Sequence, residues 1–365
     1  MPAAGDIAVI GSGVAGLTAA IELATRLQQR GSARKADHPI ITIYADRASA
    51  PAASFIAPAL FTPYPGPDEE RFRRWTERSF AALAGIAAEE PSSGVRMAEL
   101  REYFYKPPVR RPWLDALLST RPLRPIPPPL VEATASIRPH IDMLRYMPWL
   151  ESRAAALGVR FERRVFGTLD EAFALGHRTV VNCAGVGAGR LAADPLVKPM
   201  HGQVLHLRND IGLTYSLHDD AGSPGGQVAY IFVFEGRLVL GGTFDAGRDD
   251  HTTDRPALDA VLERCRNLLR MDGFPRWAEL GRGRTETGGA GLTSGELRSL
   301  AGVRPTRGPG GVGRAGAYEH TRVERELLND RGGTVIHCYG HGRSGATLSW
   351  GSAAEAADLL LEQEP

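Results

Sequence analysis

The sequence predicts an α/β protein in which an antiparallel region is inserted into a parallel layer built from both ends and a middle segment of the chain. The parallel layer is indicated by a β-branched run at 7–10, helical spacing over 17–27 and a second apolar run at 40–44. Strand–helix–strand units of this kind almost always make right-handed crossovers between parallel strands. The antiparallel region is indicated by two apolar runs within 230–240, separated by two residues, which is the spacing of a tight β-hairpin.

The remaining elements follow from local patterns. Residues 106–129 contain eight prolines, and proline lacks a backbone donor and fixes φ. We therefore expect this stretch to be a long surface excursion near a domain boundary, without a helix interior or a central strand. The polar residues 30–39 are expected to form a loop. Further helices are predicted over 144–157 and 352–362, and further strands over 159–165, 179–182 and 335–337.

Composition limits the class of protein. The chain has 365 residues, of which 43% are hydrophobic and 23% charged, as in ordinary globular proteins of about two domains. Its formal net charge of +1 argues against nucleic acid or an anionic membrane as a partner. No apolar run approaches the ~18 residues of a membrane span, and the N-terminus lacks the basic segment of a signal peptide. The three cysteines form no CxxC pair, which favours reduced thiols and a cytoplasmic location.

The first candidate binding motif is GSGVAG at 11–16, between a predicted strand and a predicted helix. Gly11 permits a tight turn, Gly13 lets the backbone approach a pyrophosphate, and Gly16 lets the helix pack closely on the strand. The helix N-terminus then offers N–H donors and the positive end of its dipole to a phosphate. A purely structural glycine turn is the alternative interpretation.

A second candidate is Asp46, at the end of the second predicted strand. A carboxylate there can accept hydrogen bonds from ribose hydroxyls, although it lies further from the glycines than the usual ~20 residues. The long loop after the first helix accounts for the difference. Arg47 beside it is a candidate for contact with phosphate or adenine. For both residues the alternative is a solvated surface ion pair.

A third candidate is the run YGHGRSGAT at 339–347, again between a predicted strand and a predicted helix. Its glycines let the backbone pass close to a planar ring, and the following helix N-terminus could stabilise negative charge there. A plain loop is an equally good interpretation. His337 and His341 have the i, i+4 spacing of metal ligands, but the glycines argue against a helix, so we expect no metal site.

Arg304 and Tyr230 are candidates for substrate binding, each with a structural alternative. The guanidinium of Arg304, in the run GVRP, can bind a carboxylate through two hydrogen bonds, although from sequence alone a structural salt bridge is favoured. Tyr230 lies on a predicted strand, where an aromatic residue more often belongs to the core. The sequence contains no nucleophile elbow, Walker loop or zinc spacing, which favours a cofactor that carries the chemistry.

Several sequence blocks together resemble the D-amino-acid oxidase family. They are IAVIGSGVAGL, ITIYADR, LFTPYPGPDEE, VVNCAGVGAGRL followed by KPMHGQV, AYIFVFEGRLVLGGTF, GVRP and HCYGHGRSGATLSWG, in the order of that family. The resemblance implies an α/β fold with a Rossmann-like FAD-binding domain (1–60, 140–200 and 298–365) and an inserted antiparallel-sheet substrate domain (61–139 and 201–297). It implies oxidative deamination of a D-amino acid: hydride passes from the α-carbon to FAD, oxygen is reduced to hydrogen peroxide, and a 2-oxo acid and ammonia are released.

The resemblance also implies roles for single residues. Arg304 would hold the substrate carboxylate, Tyr230 would hydrogen-bond it, and the backbone carbonyl of Arg343 would accept from the substrate amine. Thr62 stands where relatives have a glutamine that lines the pocket. The expected partners are the amino acid, oxygen and a second copy of the chain in a homodimer. Together with the first motif, the resemblance predicts FAD contacts at Gly11, Ser12, Gly13, Val14, Ala15, Asp46, Arg47, Ser54, Ala59, Leu60, Val165, Gly342, Arg343, Gly345, Ala346 and Thr347.

Two departures from the family bear on the substrate side chain. The loop 222–226, where mammalian relatives carry a lid tyrosine, has no aromatic residue, so we expect an entrance open to bulky substrates. Arg343 replaces a glycine that is frequent in relatives; we expect its side chain to face solvent, whereas a pocket orientation would favour an acidic substrate. Neutral, fairly bulky D-amino acids are the first hypothesis. The alternatives are a D-aspartate oxidase with Arg343 or His218 as the extra cation, a glycine or secondary-amine oxidase, and an NAD(P)-dependent reductase.

Overall fold

The computed structural model describes residues 5–30, 39–46, 53–65, 67–219, 228–283, 285–286, 296–308, 320–328 and 333–361. Its strands, in chain order, are β1 (Ile7–Ile10), β2 (Ile41–Ala45), β3 (Ala59–Leu60), β4 (Val95–Phe104), β5 (Arg121–Pro122), β6 (Glu132–Ile141), β7 (Arg160–Arg163), β8 (Thr179–Asn182), β9 (Val197–Arg208), β10 (Ser216–Asp219), β11 (Tyr230–Phe234), β12 (Arg237–Gly241), β13 (Asp245–Ala246), β14 (Thr285–Glu286), β15 (Glu296–Arg307), β16 (Arg322–Leu328) and β17 (Gly333–Tyr339). Its helices are α1 (Val14–Arg30), α2 (Ala53–Ile56), α3 (Glu69–Glu89), α4 (Pro112–Leu117), α5 (Met143–Ala156), α6 (Asp170–Phe173), α7 (Gly187–Leu191), α8 (Arg255–Asp272) and α9 (Gly345–Leu361).

The smaller of two sheets has six strands in the order β16-β17-β8-β1-β2-β7. Its neighbours run parallel except β16, which is antiparallel to β17. Alternate residues of β1 belong to two different apolar clusters, one shared with α1 and α9 and the other with Phe166 and Ala172. Because β1 is thus buried on both faces, it is an uninterrupted apolar run, as is usual in parallel sheets.

The larger sheet has eleven strands, in the order β14-β15-β9-β12-β11-β10-β4-β6-β3, with β13 added beside β9 and β5 beside β6. Most neighbours are antiparallel, whereas β10 with β4 and β14 with β15 are parallel. Apolar residues of α8 cover one face and form a cluster with Ile231 and Val233. Tyr230, Phe232 and Phe234 belong to a second cluster. The alternation along β11 therefore directs Tyr230 away from α8.

Three long helices pack together beside the smaller sheet, with α9 in contact with both α1 and α3. Helix α3 begins after Asp68, whose side chain accepts from the backbone N–H of Arg71 and so caps the helix. Gly351 of α9 lies directly against the backbone of α3. A Cβ at this position would be 2.3 Å from the carbonyl oxygen of Trp75, so the close approach of the two helices requires glycine.

The structure confirms most elements that the sequence predicts. Strands β1 and β8 and the hairpin of β11 and β12 lie where expected, and β2 and α5 are displaced by one residue. Strand β7 is shorter and β17 longer than predicted. Helix α9 begins at Gly345, seven residues before the predicted start, because Gly345 and Gly351 interrupt the helical spacing of its first two turns. The predicted loop 30–39 lies mostly outside the described residues.

The proline-rich stretch 106–129 contains the short elements α4 and β5, which were not predicted. Proline is compatible with both positions. Pro112 is at the first turn of α4, where a backbone N–H has no partner within the helix. Strand β5 pairs with β6 and lies outside the main strand path of the sheet.

The sequence patterns also did not predict α3, α8 or the long strands β4, β6, β9 and β15. The predicted domain boundaries at 140, 200 and 298 fall inside β6, β9 and β15, all of which belong to the larger sheet. The division into two domains stays a prediction. Among the described residues, no helix has both the length and the apolar character required to cross a bilayer.

Candidate active site

A cavity of about 700 Å³ opens at the carboxyl ends of β1, β2 and β8 and extends to the face of the larger sheet that carries Tyr230. In open α/β sheets, ligands bind at this edge, where the strand order reverses. The volume is within the usual range of ligand sites, ~300–1,000 Å³. Arg47 and the loop 222–226 lie outside the described residues. The other predicted contact residues all line the cavity: Gly11, Ser12, Gly13, Val14, Ala15, Asp46, Ser54, Ala59, Leu60, Thr62, Val165, Tyr230, Arg304, Gly342, Arg343, Gly345, Ala346 and Thr347.

The turn at 11–16 is built so that only glycine fits at two of its positions. Gly11 has a φ of 110°, and a Cβ there would lie 2.4 Å from the carbonyl oxygen of Cys183. A Cβ on Gly16 would lie 1.9 Å from the carbonyl oxygen of Gly11, so helix α1 is held against the turn. The first backbone N–H of α1, that of Val14, donates to the Ser54 hydroxyl at 3.1 Å. The turn therefore presents backbone and a small hydroxyl to the cavity.

The end of the cavity near Asp46 carries cationic side chains. The carboxylate of Asp46 lies 3.7 Å from the guanidinium of Arg163, so the ion pair considered for it exists and the residue lines the cavity as well. Arg164 and Arg190 also line the cavity, and Arg190 donates to the carbonyl of Phe166 at 3.3 Å. These arginines could neutralise phosphate charge.

The segment 340–347 joins β17 to α9 and forms another wall of the cavity. Gly340 and Gly342 have φ values of 80° and 54°. Thr347 and Ser344 accept from the backbone N–H groups of Thr62 and Tyr64, both at 3.3 Å, which ties the segment after β3 to the start of α9. Thr62 itself donates to the carbonyl of Leu60 at 2.9 Å, and it also lines the cavity.

The two histidines with metal-like spacing are occupied by other contacts. His341 Nε2 lies 2.9 Å from the Ser352 hydroxyl, and His337 Nε2 lies 2.9 Å from a carboxylate oxygen of Glu326. No group of three or more potential metal ligands occurs in the described part of the chain.

Arg304 owes its position on β15 to a glycine of the neighbouring strand. A Cβ on Gly202 of β9 would lie 2.0 Å from Nη1 of Arg304, so the guanidinium occupies the space that a side chain would fill. The same Nη1 donates to the carbonyl of Thr243 at 3.3 Å, and the guanidinium carbon lies 4.9 Å from the ring centroid of Phe244. These contacts direct the cation into the cavity.

Tyr230 is placed in a similar way by glycines of β12. A Cβ on Gly241 would lie 2.2 Å from the Tyr230 hydroxyl oxygen, and the ring stacks on Phe232 with centroids 4.5 Å apart. The Arg304 guanidinium donates to this hydroxyl. Burial raises the pKa of Tyr230 to about 12, although the Arg304 charge opposes the shift. The phenol therefore stays protonated and able to donate at ordinary pH. Tyr230 belongs to a core cluster and lines the cavity at the same time.

The side chain of Arg343 does not face bulk solvent, contrary to expectation. Its guanidinium carbon lies 3.8 Å from the ring centroid of Tyr64 and 5.7 Å from that of Phe244, and both rings line the cavity. The expectation was wrong because cation–π contact with two aromatic side chains draws the guanidinium along the cavity wall. His218, the other candidate cation, also lines the cavity, and its Nδ1 lies 3.9 Å from Glu102.

Comparison with known proteins decides the family. A family model described as FAD dependent oxidoreductase, abbreviated DAO, matches residues 6–359. This chain is a member of the DAO family of FAD dependent oxidoreductases. It is 35% identical to a D-amino-acid oxidase of Rubrobacter xylanophilus, over 96% of this chain and 94% of that one. It is 29% identical to a D-aspartate oxidase of Homo sapiens, over 98% of this chain and 94% of that one.

Solved structures show the same fold at low sequence identity. A glycine oxidase from Bacillus cereus has a TM-score of 0.67 at 19% identity, covering 99% of this chain and 96% of that one. An L-proline dehydrogenase from P. horikoshii has a TM-score of 0.68 at 16% identity, covering 100% and 95%. The fold class predicted from the sequence, that of the D-amino-acid oxidase family, is therefore confirmed, as is FAD as the cofactor.

The residues of this DAO family member fit FAD. The backbone of 11–15 and the N-terminus of α1 face the cavity, as pyrophosphate binding requires. Asp46 stands at the end of β2, Arg164 and Arg190 add positive charge, and the segment 340–347 lies along the far wall. Together these groups match the phosphate, ribose and ring parts of an elongated dinucleotide.

Sequence reasoning missed several cavity residues of this oxidoreductase. Arg190 follows the run CAGVGAG directly, so a cation after a glycine-rich strand end was a usable signal. Arg164 directly follows β7 and had no such signal. Tyr64 and Phe244 lie in the blocks LFTPYPGPDEE and GGTF, but only their packing against Arg343 and Arg304 distinguishes them from core aromatics.

Proposed function

We propose that this FAD dependent oxidoreductase is an oxidase of D-amino acids, with neutral, fairly bulky side chains as the first substrate class. One observation carries the proposal: the Arg304 guanidinium and the Tyr230 hydroxyl are in contact inside the cavity that begins at the turn 11–16. A cation beside a phenol is a site for a carboxylate. The names of the curated relatives, D-amino-acid oxidase and D-aspartate oxidase, support the same substrate class.

In this proposal the protein acts by positioning. When bound, FAD would supply a hydride acceptor for the substrate α-carbon, and its reoxidation by oxygen would give hydrogen peroxide. Arg304 and Tyr230 hold the carboxylate, and the backbone carbonyl of Arg343 accepts a hydrogen bond from the amine. With both groups held, only one enantiomer directs its α-hydrogen toward the cofactor. Such orientation can supply ~7–11 kcal/mol of the barrier reduction.

The amine must be neutral before hydride can leave, so its proton has to be lost first. The Tyr230 hydroxyl is not the base, because burial raises its pKa to about 12 and it remains protonated. The imino acid that forms hydrolyses in water to a 2-oxo acid and ammonia. The chain thus contributes binding, orientation and shielding from water rather than acid–base chemistry.

The experiment is a hydrogen peroxide assay with purified protein, added FAD and paired D- and L-amino acids. We expect peroxide from D-alanine, D-methionine and D-phenylalanine and none from their L-enantiomers. Arg304→Ala should lose most of this activity. Arg298→Ala, on the same strand, serves as a matched control for loss of an arginine. Peroxide from L-amino acids alone, or no peroxide from any amino acid by a flavin-loaded protein, would overturn the proposal.

A specific observation favours a second candidate, a D-aspartate oxidase. Arg343 lies along the cavity wall and shares the Phe244 ring with Arg304, so a second cation is available for an acidic side chain. D-Aspartate and D-asparagine have the same shape and differ in charge. A large preference for D-aspartate that Arg343→Gln removes would select this candidate, and equal use of both would reject it.

A glycine or secondary-amine oxidase is the remaining alternative of the same chemistry, and glycine and N-methylglycine belong in the same panel. An NAD(P)-dependent reductase is set aside by membership of an FAD dependent family.

We also propose that the protein is cytoplasmic and forms a homodimer. The unpaired state of Cys183, Cys265 and Cys338 supports a reducing compartment. Cell fractionation tests the location, and light scattering on the purified protein tests the dimer. Recovery in an extracytoplasmic fraction, or a monomer mass, would contradict the respective part.

A further inference from the structure

Cys183 and Cys338 lie opposite each other on neighbouring strands. Strands β8 and β17 are parallel, and Asn182 is paired with His337. Cys183 directly follows Asn182, and Cys338 directly follows His337. Side chains in register on parallel strands point to the same face. The strand spacing of ~4.8 Å falls within the Cα separation of ~4.4–6.8 Å that a disulfide spans. The two thiols are also close enough to shift each other's pKa.

The pair has a proton acceptor beside it. The side chain of His341 is close enough to Cys338 to lower the pKa of that thiol, and its Nε2 lies 2.9 Å from the Ser352 hydroxyl. The Cys183 thiol, together with His341, lowers the pKa of Cys338. Interaction with Cys338, together with burial, raises the pKa of Cys183. One thiol of the pair is thus the easier to ionise, and the thiolate is the form that reacts with oxidants.

The pair lies directly under the FAD-binding turn. A Cβ on Gly11 would meet the Cys183 carbonyl oxygen at 2.4 Å, and a Cβ on Gly16 would meet the Cys183 Cβ at 3.4 Å. Both cysteines line the same cavity as Tyr230 and Arg304. Hydrogen peroxide formed there would therefore be produced in the same cavity that the two cysteines line.

We propose that Cys183 and Cys338 are a modification site, a thiol pair that hydrogen peroxide converts reversibly to a disulfide. The source of the peroxide rests on the proposed function; the reactivity of the pair does not. The remaining cysteine, Cys265, lies in the cluster under α8 and donates to the Tyr230 carbonyl at 3.4 Å, so it is not a partner.

Hydrogen peroxide is the only oxidant that the reaction requires. Cys338 gives its proton to His341, and the thiolate attacks one peroxide oxygen, so that the O–O bond breaks and a sulfenic acid and hydroxide form. Hydroxide takes up the proton and becomes water. The Cys183 sulfur then attacks the sulfenic sulfur, the S–O bond breaks, and a second water leaves. Two thiols lose two electrons, and one peroxide becomes two waters.

Disulfide formation would weaken the hold on FAD. The two sulfurs must approach to ~2.05 Å, so the Cys183 side chain must rotate toward Cys338 and β8 becomes covalently fixed to β17. Gly11 packs against the Cys183 carbonyl without spare room, and Gly16 lies near the Cys183 Cβ, so the turn must adjust to the new position of Cys183. We expect the flavin to be released on oxidation and to rebind after reduction.

The test treats flavin-loaded protein with added hydrogen peroxide, then alkylates remaining thiols under denaturing conditions and maps peptides by mass spectrometry. We expect alkylation to fall from three cysteines to one, Cys265, with a linked 183–338 peptide that dithiothreitol cleaves. Filtration of the treated protein should release flavin. Three alkylated cysteines after treatment, or oxidation of single cysteines without a link, would overturn the proposal.

Cysteine variants distinguish disulfide formation at this pair from general oxidative damage to the protein. Cys183→Ser and Cys338→Ser should each retain flavin in peroxide, whereas Cys265→Ser should lose it as the wild type does. Peptide mapping of the wild type decides the question even if a variant fails to fold. Because the peroxide is added, a linked pair in a protein inactive on D-amino acids would contradict only the proposed function. Unlinked thiols in an active oxidase would contradict only the disulfide.

Discussion

Arg304 and Tyr230 depend on glycines that the neighbouring strands place beneath them. Gly202 and Gly241 leave the space that the guanidinium and the phenol ring occupy. A sequence pattern shows neither relation, because Gly202 and Arg304 are about a hundred residues apart and meet only through the pairing of β9 with β15. This is why the sequence alone favoured a salt bridge for Arg304 and a core role for Tyr230.

Gly202→Ala tests this dependence. A Cβ at 2.0 Å from Nη1 must displace the Arg304 guanidinium, so we expect kcat/KM for a D-amino acid to fall about 30-fold or more, the equivalent of ~2 kcal/mol. Flavin content should be unchanged, since β9 does not contribute to the turn. Steady-state kinetics and the flavin absorption spectrum measure both. A variant with wild-type kcat/KM would show that the guanidinium position does not matter.

The pH dependence of flavin reduction follows from Tyr230 and the substrate amine. The rate should rise with pH into the alkaline range as the amine loses its proton. No loss is expected near pH 10, the ordinary pKa of tyrosine, because burial raises the pKa of Tyr230 to about 12 and the donating form persists. Anaerobic stopped-flow measurements across that range check both limbs. A pH-independent rate, or a decline centred near 10, would be inconsistent with these assignments.

At the scale of elements, the parallel strands were predictable and the antiparallel ones mostly were not. Strands β1, β2 and β8 are short apolar runs because both faces are buried. Strands β4 and β6 mix charged and apolar residues, and their register of ten residue pairs is set by long-range partners. Helices α3 and α8 each carry four arginines together with acidic residues, which made the helical spacing of their apolar residues hard to recognise.

The contact of α9 with α3 predicts opposite effects of one substitution at two glycines. Gly351→Ala places a Cβ 2.3 Å from the Trp75 carbonyl oxygen and should destabilise the protein by ~1–3 kcal/mol. Gly85→Ala, within α3 and with no atom within 4 Å of the added Cβ, should stabilise it by ~0.5–1 kcal/mol. Thermal unfolding followed by circular dichroism compares the two. Equal effects would mean that the helices do not approach as closely as described.

Buried histidines of the larger sheet predict sensitivity to acid. Burial lowers the pKa of His140 and of His206 to about 3, against 6.5 for an exposed imidazole. Below pH 6.5 the unfolded chain takes up protons that the folded chain does not, so stability is full above 6.5 and falls as pH decreases toward 3. Urea unfolding at several pH values measures this. His206→Gln should flatten the fall and His251→Gln, at an exposed position, should not; the reverse result would refute the assignment.

For the whole molecule, the sequence predicted the fold class, the cofactor and the reaction family, all of which are confirmed. The domain boundaries were drawn through β6, β9 and β15, because nothing local marks where the chain passes from one sheet to the other. The expected orientation of the Arg343 side chain was wrong. It depends on Tyr64 and Phe244, which are far apart in the chain and meet only in the cavity.

Both sheets contribute to the cavity, and this arrangement is what the proposed chemistry needs. The smaller sheet supplies the turn 11–16 and the segment 340–347 for FAD, and the larger sheet supplies Arg304 and Tyr230 for the carboxylate. In the proposed function, the substrate is held between a cofactor bound by one sheet and a cation presented by the other.

The most direct test of a carboxylate site at Arg304 is anaerobic mixing of flavin-loaded protein with D-alanine. The loss of the yellow flavin absorption is recorded for the wild type and for Arg304→Ala. We predict that wild type is bleached by D-alanine and not by L-alanine. The variant should keep its flavin and react at least about 30-fold more slowly, as expected for a lost charge-assisted contact of ~2–5 kcal/mol. Bleaching of both proteins at the same rate would contradict a carboxylate site at Arg304.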